Sequence, residues 1–239
     1  MALPKIAVPT YELEIPSLKK SITYRPFLVK EEKILVIAME SEDTKQIANA
    51  VKTVISNCIL TKGIKVDNLA TFDIEYLFLN IRGKSVGETV EVLITCPDDG
   101  KTQVPVSINL DEINVTVEEN HSRDIKLDEN LTLRMKYPSM QEFIKNNFGN
   151  NLNVSVDDTF DMICACIEQI YNAEESWSSS DCSKKELIEF LEQLTTNQFK
   201  NIESFFESMP KLSHTLTLKN PNTNVESEVV LEGLTSFFA

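Results

Sequence analysis

The chain has 239 residues, 42% of them hydrophobic and 25% charged, proportions that set aside wholesale disorder, a collagen-like fibre and a disulfide miniprotein. That length fits one or two domains with a sizeable core. Its 23 Lys and Arg against 37 Asp and Glu leave a net charge of −14, a potential that repels phosphate backbones and anionic headgroups and so argues against nucleic acid or membrane as a general partner.

The start, Met1-Ala2-Leu3-Pro4-Lys5-Ile6, lacks the basic and apolar regions of a signal peptide, and the longest apolar run, Ile34 to Met39, is too short to span a bilayer. A cytoplasmic protein is expected. Tyr11 to Pro26 predicts a hairpin, since Tyr11, Leu13 and Ile15 alternate with polar neighbours and Pro16-Ser17 can turn the chain. Helices are predicted over Leu28 to Glu40 and Thr44 to Leu60; in the second, Ile47, Val51, Val54, Ile55 and Cys58 form one stripe. A third helix has Thr71 as N-cap, Asp73 and Glu75 near the positive end of its dipole and Leu77, Phe78 and Ile81 on the buried side, and is expected to stop near Gly83.

Thr89 to Leu110 predicts a second hairpin: Val90, Val92 and Ile94 alternate outward, Pro97-Asp98-Asp99-Gly100 turns, and Val104, Val106 and Ile108 alternate on the return. Strands are also predicted at Ile113 to Val117 and Leu131 to Met135. Past Pro138, Ser139 and Glu142 are spaced as a capping box, and the stripe Val156, Phe160, Ile163, Cys164, Ile167, Ile170, Tyr171 predicts helix. Ala173 to Asp181 reads as a loop. Ser183 and Glu186 then open a helix whose apolar face runs from Leu187 to Phe206 and ends at Met209-Pro210. A last hairpin turns at Asn220-Pro221-Asn222-Thr223-Asn224 between His214 and Leu231.

The expected fold class is therefore α+β, with two helical clusters each followed by a Pro-turned antiparallel hairpin. A weak internal repeat is one reading of this and two ordinary hairpins the other. The regions are 1–137, with hairpin 89–110, and 138–239, with hairpin 213–231.

No motif points to catalysis. Gly83-Lys84-Ser85 lacks the glycine five positions earlier that a phosphate loop needs, because Phe78 stands there. Cys96-Pro97-Asp98-Asp99-Gly100 has the shape of a zinc knuckle without its second ligand, and Cys164 and Cys166 point to different helix faces. With Cys58 and Cys182 these thiols are odd in number and scattered, so they are expected to be reduced. The two histidines, His121 and His214, sit in no nucleophile turn and are expected to be structural. No catalytic, cofactor-binding or metal-ligating residue and no cofactor is assigned. Between Asp157 and Glu192, ten acidic residues face only Lys184 and Lys185, a segment that either steers a basic partner or is a solvated face.

The stretch Phe72-Asp73-Ile74-Glu75-Tyr76-Leu77-Phe78-Leu79-Asn80-Ile81-Arg82-Gly83-Lys84-Ser85-Val86-Gly87-Glu88, running into the Cys96-Pro97 hairpin, resembles the baseplate hub subunit and hub assembly family of T4-type contractile-tailed bacteriophages. Leu3-Pro4 to Glu32 and Pro210 to Phe238 share the likeness. The resemblance implies a non-enzymatic role in the host cytoplasm or the virion tail: a hub assembly factor acting with hub proteins and the tape-measure protein, or a permanent hub subunit. A small hydrolase or metal enzyme is the rival from another class, and a homo-oligomer is open. Arg82, Lys84, Ser85 and Glu88 are the expected partner-binding residues, against a turn that serves folding alone.

Overall fold

The computed structural model describes residues 6–41, 43–140 and 156–237. Among these, six helices and eleven strands in small antiparallel sheets make an α+β fold, as expected. Glu142 of the Ser139 capping box, the Leu3-Pro4 start and Phe238 lie outside the described residues.

The alternating apolar residues of β1 (Tyr11–Ile15) and β2 (Lys20–Tyr24) pair antiparallel with Leu13 opposite Ile22, and Ile15, Ile22 and Tyr24 enter the core. Helices α1 (Val29–Glu40) and α2 (Thr44–Cys58) pack together, and α2 also packs on α3 (Thr71–Val86). In α3, Phe72, Ile74, Leu77, Leu79 and Ile81 are all buried, so apolar side chains point in every direction and the helix needs cover all round. Its N-cap is Ala70, not Thr71, and it runs through Gly83 to Val86. Gly83 is a packing residue: a Cβ there would lie 3.6 Å from Leu110 Cδ1. The helix ends instead at Gly87, whose N–H reaches the Gly83 carbonyl at 3.1 Å and whose φ of +145° excludes ordinary side chains.

Strands β3 (Thr89–Thr95) and β4 (Gln103–Asn109) form the expected hairpin, followed by β5 (Asn114–Thr116). A four-stranded meander then takes the order β6 (Asp124–Lys126), β7 (Thr132–Met135), β8 (Ile167–Tyr171), β9 (Ser176–Ser178). Here the helix expected through Tyr171 is corrected: α4 (Val156–Cys166) stops at Cys166, and Ile167 begins a strand hydrogen-bonded on both sides. Two ladders and the burial of the β-branched Ile167 and Ile170 outweigh a spacing that suits either element. The expected loop contains β9, with Trp177 opposite Ile170. The next helix is also two, α5 (Lys184–Glu192) and α6 (Thr196–Ser208). They break where Thr195 and Gln198 form their own capping box, the Thr195 N–H meeting Gln198 Oε1 at 2.8 Å.

The last hairpin, β10 (Lys211–Lys219) with β11 (Glu226–Glu232), adds to β5 in the order β11-β10-β5. Two hydrophobic cores result. The first gathers residues from Ile15 to Ile113 together with Met140, Leu212, Leu218 and Phe237; the second gathers Ile125 to Phe205. His121 lies at their seam, 5.6 Å from the Tyr137 ring and 5.2 Å from that of Phe205, while Tyr137 meets Phe72 of α3 edge-on at 5.0 Å. Its ring nitrogens reach Ser208 Oγ and the Tyr137 hydroxyl, both at 3.0 Å.

Candidate partner-binding site at the end of α3

The last turn of α3 and the step into β3 hold all four expected residues on one short segment, and the structure gives each a position. Lys84 is largely covered. Its Nζ lies 2.5 Å from Glu88 Oε1 and 2.8 Å from Asp111 Oδ2, and 5.6 Å from the centre of the Tyr11 ring. The hydrogen bonds it donates to these carboxylates raise its pKa, so it is a fixed cation and no proton donor or base near neutral pH. The Ser85 hydroxyl turns back to the Ile81 carbonyl and accepts the Phe27 N–H at 2.9 Å, which ties the chain before α1 to the end of α3. Arg82 is half-buried, and desolvation lowers its pKa. Glu88 is exposed, and its carbonyl accepts the Leu110 N–H at 2.7 Å.

This segment is thus a junction of β1, the start of α1, β3 and the turn after β4. It gathers one cation between two carboxylates, with no nucleophile or acid–base pair. Lys84 and Ser85 serve the fold directly, while Arg82 is half-buried and Glu88 is exposed at the edge of the segment.

A second polar cluster escaped sequence reasoning. The tips of the two Pro-turned hairpins meet: Asn220 Nδ2 donates to Asp98 Oδ1 at 3.0 Å, Thr223 Oγ1 to Asp98 Oδ2 at 2.5 Å, and Asn222 Nδ2 to Thr102 Oγ1 at 3.0 Å. The Asn220 and Thr223 bonds hold the Asp98 carboxyl below the usual range. Cys96 is buried just beneath, where desolvation and then Asp98 and Asp99 push its thiol pKa up, away from the thiolate a metal needs. Among the described residues, no group of three or more His, Cys, Asp or Glu is placed to hold a metal ion. The run of Asx and Thr residues at each tip is a sequence signal of turn formation; nothing in it pairs one tip with the other.

Comparison with protein families finds a match to the model of the T4 bacteriophage base plate protein over residues 8–239. The chain belongs to that family. A search of curated proteins and a search of solved structures each return no match. For a baseplate protein, membership gives a structural or assembly role in the phage baseplate, implies contact with other baseplate proteins, and points to a non-enzyme. No helix among the described residues is long and apolar enough to cross a membrane. The family points to the tail baseplate as the assembly this protein serves.

Proposed function

We propose that the protein acts in forming the baseplate hub, as a chaperone-like factor that brings hub proteins and the tape-measure protein together in the host cytoplasm. The observation that carries this reading is the family match across residues 8–239, which takes in the Arg82 to Glu88 segment and both hairpins. The acidic segment supports it. Apart from Asp161, which is half-buried and bonded to Lys184 at 2.6 Å, its other nine carboxylates are exposed, as a surface that draws in a basic partner requires.

In this reading the Arg82 to Glu88 turn is the contact, with Arg82 as its anchor and Lys84 and Ser85 holding it in shape. The test is affinity capture of the full chain from infected cells, beside a search for the chain in purified mature particles. The expected result is co-elution of hub and tape-measure proteins, weakened by Arg82→Ala at unchanged melting temperature, with no chain in the particle. Stoichiometric chain in mature particles would make it a permanent hub subunit instead. Capture of neither protein would overturn the hub reading.

A further inference from the structure

The outer face of α1 exposes large apolar side chains. On its inner side Glu31 and Ala38 are buried, and Ile34 and Leu35 pack on the first core. On the other side Val29, Lys33, Val36, Ile37 and Glu40, at offsets 0, 4, 7, 8 and 11, share one stripe. All are exposed, with Val29 at 80%, Val36 at 50% and Ile37 at 54% relative exposure. Beside the stripe runs a groove of about 370 Å³ between α1 and α2, lined by Ile37, Ala38, Asn49, Ala50 and Thr53. Neither Lys33 nor Glu40 has an ion-pair partner among the described residues.

The charges on this stripe select its occupant. Lys33 lies on the N-terminal side of Val36 and Ile37, and Glu40 lies on the C-terminal side. Set antiparallel to a copy of itself, the stripe puts Val36 against Ile37 twice and Lys33 against Glu40 twice. A parallel copy would set like charges together. We infer that two copies of this chain associate across a two-fold axis through antiparallel α1 helices, with Val36 and Ile37 of each packed at the α1–α2 groove of the other. Such an isologous contact closes on itself and makes a dimer, not a fibre. A helix of 12 residues is about 18 Å long, so the contact is small beside a standard interface of about 1,600 Å² and belongs with weak, reversible associations.

Sedimentation equilibrium of the full chain between about 1 and about 200 µM tests this. The wild type should show a reversible monomer–dimer equilibrium. Lys33→Glu and Glu40→Lys each set up two like-charge contacts and should weaken it about tenfold or more, with unchanged circular dichroism, because both sites are exposed. An equimolar mixture of the two variants restores both opposite-charge contacts, so it should dimerise as the wild type does, and so should the double variant. A wild type that stays monomeric, or a dimer indifferent to both reversals, overturns the inference and leaves the stripe to another baseplate protein. Loss in each variant without recovery in the mixture overturns the antiparallel arrangement.

Discussion

The two cores treat charge differently. In the first, Glu31 and Asp73 are fully buried, and Asn220 nearly so; in the second, no charged residue is buried among those described, and Arg123–Glu168, Arg134–Asp124 and Lys184–Asp161 all sit at the rim. The first core also draws its members from Ile15 to Phe237, whereas those of the second all lie between Ile125 and Phe205. Directional buried bonds suit the first case, where distant segments must find one another. Asp73 accepts the Ser17 N–H at 3.0 Å and the Ser17 hydroxyl, fixing the β1–β2 turn on the start of α3, while Glu31 binds Arg25 at 2.9 Å and accepts the Leu28 N–H at 3.0 Å.

The largest effects come from separating the cores by truncation. Leu77 in α3 and Leu133 in β7 are both fully buried, and Leu→Ala at either should cost about 2–5 kcal/mol in denaturant unfolding. The single tryptophan, Trp177, belongs to the β6–β9 sheet, so its fluorescence follows that region while far-UV circular dichroism follows the whole chain. Leu133→Ala should move the fluorescence transition and Leu77→Ala the dichroism transition. Coincident shifts of both probes in both variants would join the cores into one cooperative unit.

Next come the two fully buried carboxylates, Glu31 and Asp73, whose pH dependence should run in opposite directions. Burial raises the pKa of Glu31, but the Arg25, Leu28 and Lys30 contacts outweigh it and leave it lowered; its contribution is therefore present above the unfolded value of about 4.3 and lost as pH falls through the folded one. For Asp73 burial prevails over the Ser17 and Ala70 bonds and the pKa is raised, so its contribution is greatest below the unfolded value of about 3.9 and declines as pH rises through the folded one. Glu31→Gln should cost about 2 kcal/mol at pH 7 by leaving Arg25 unpaired. Stability of wild type minus Glu31→Gln should fall from pH 7 to pH 3, and wild type minus Asp73→Asn should rise. Parallel slopes would remove the contrast.

How far each core was legible follows from how local its instructions are. The β3–β4 hairpin and α3 could be read because Val92 and Ile94 keep a strict alternation and because Asp73 and Glu75 open the helix ahead of the apolar Leu77, Phe78 and Ile81. The α4-to-β8 switch was hidden, since Ile163, Ile167, Ile170 and Tyr171 satisfy helical spacing while the ladders that decide for a strand come from β7 and β9. The Thr195–Gln198 box that splits α5 from α6 is written in the sequence and masked by the continuing apolar face of Phe199, Ile202 and Phe205. At the candidate site, Lys84 near a helix end was legible, but Asp111, 27 positions away, was not.

A smaller effect tests the bonds between hairpins. Asn220 is buried at the end of β10, and Asn220→Ala removes its bonds to Asp98 and its acceptor for the Asn222 N–H at 2.9 Å. The expected cost is about 1–2 kcal/mol, with faster amide exchange in both the Pro97 and Pro221 turns. Faster exchange confined to the Pro221 turn would show that the tips touch without supporting each other.

The smallest effect compares ion pairs of the two cores. Lys84, with a side chain 17% exposed, meets two carboxylates and an aromatic face, whereas Arg134 and Asp124 are 41% and 39% exposed. A covered cation between two anions keeps more of its attraction than an exposed pair, which solvent and salt screen. Lys84→Met should therefore cost about 1 kcal/mol after allowance for screening, and it should do so at low and high salt alike. Arg134→Met should shift the unfolding midpoint less, with that shift fading as salt rises. Because Lys84 supports folding, its loss weakens partner capture through stability as well as contact. Arg82→Ala, measured beside it, separates the two: weakened capture at an unchanged melting temperature assigns the contact to Arg82, and full capture by Arg82→Ala returns the whole turn to a folding role.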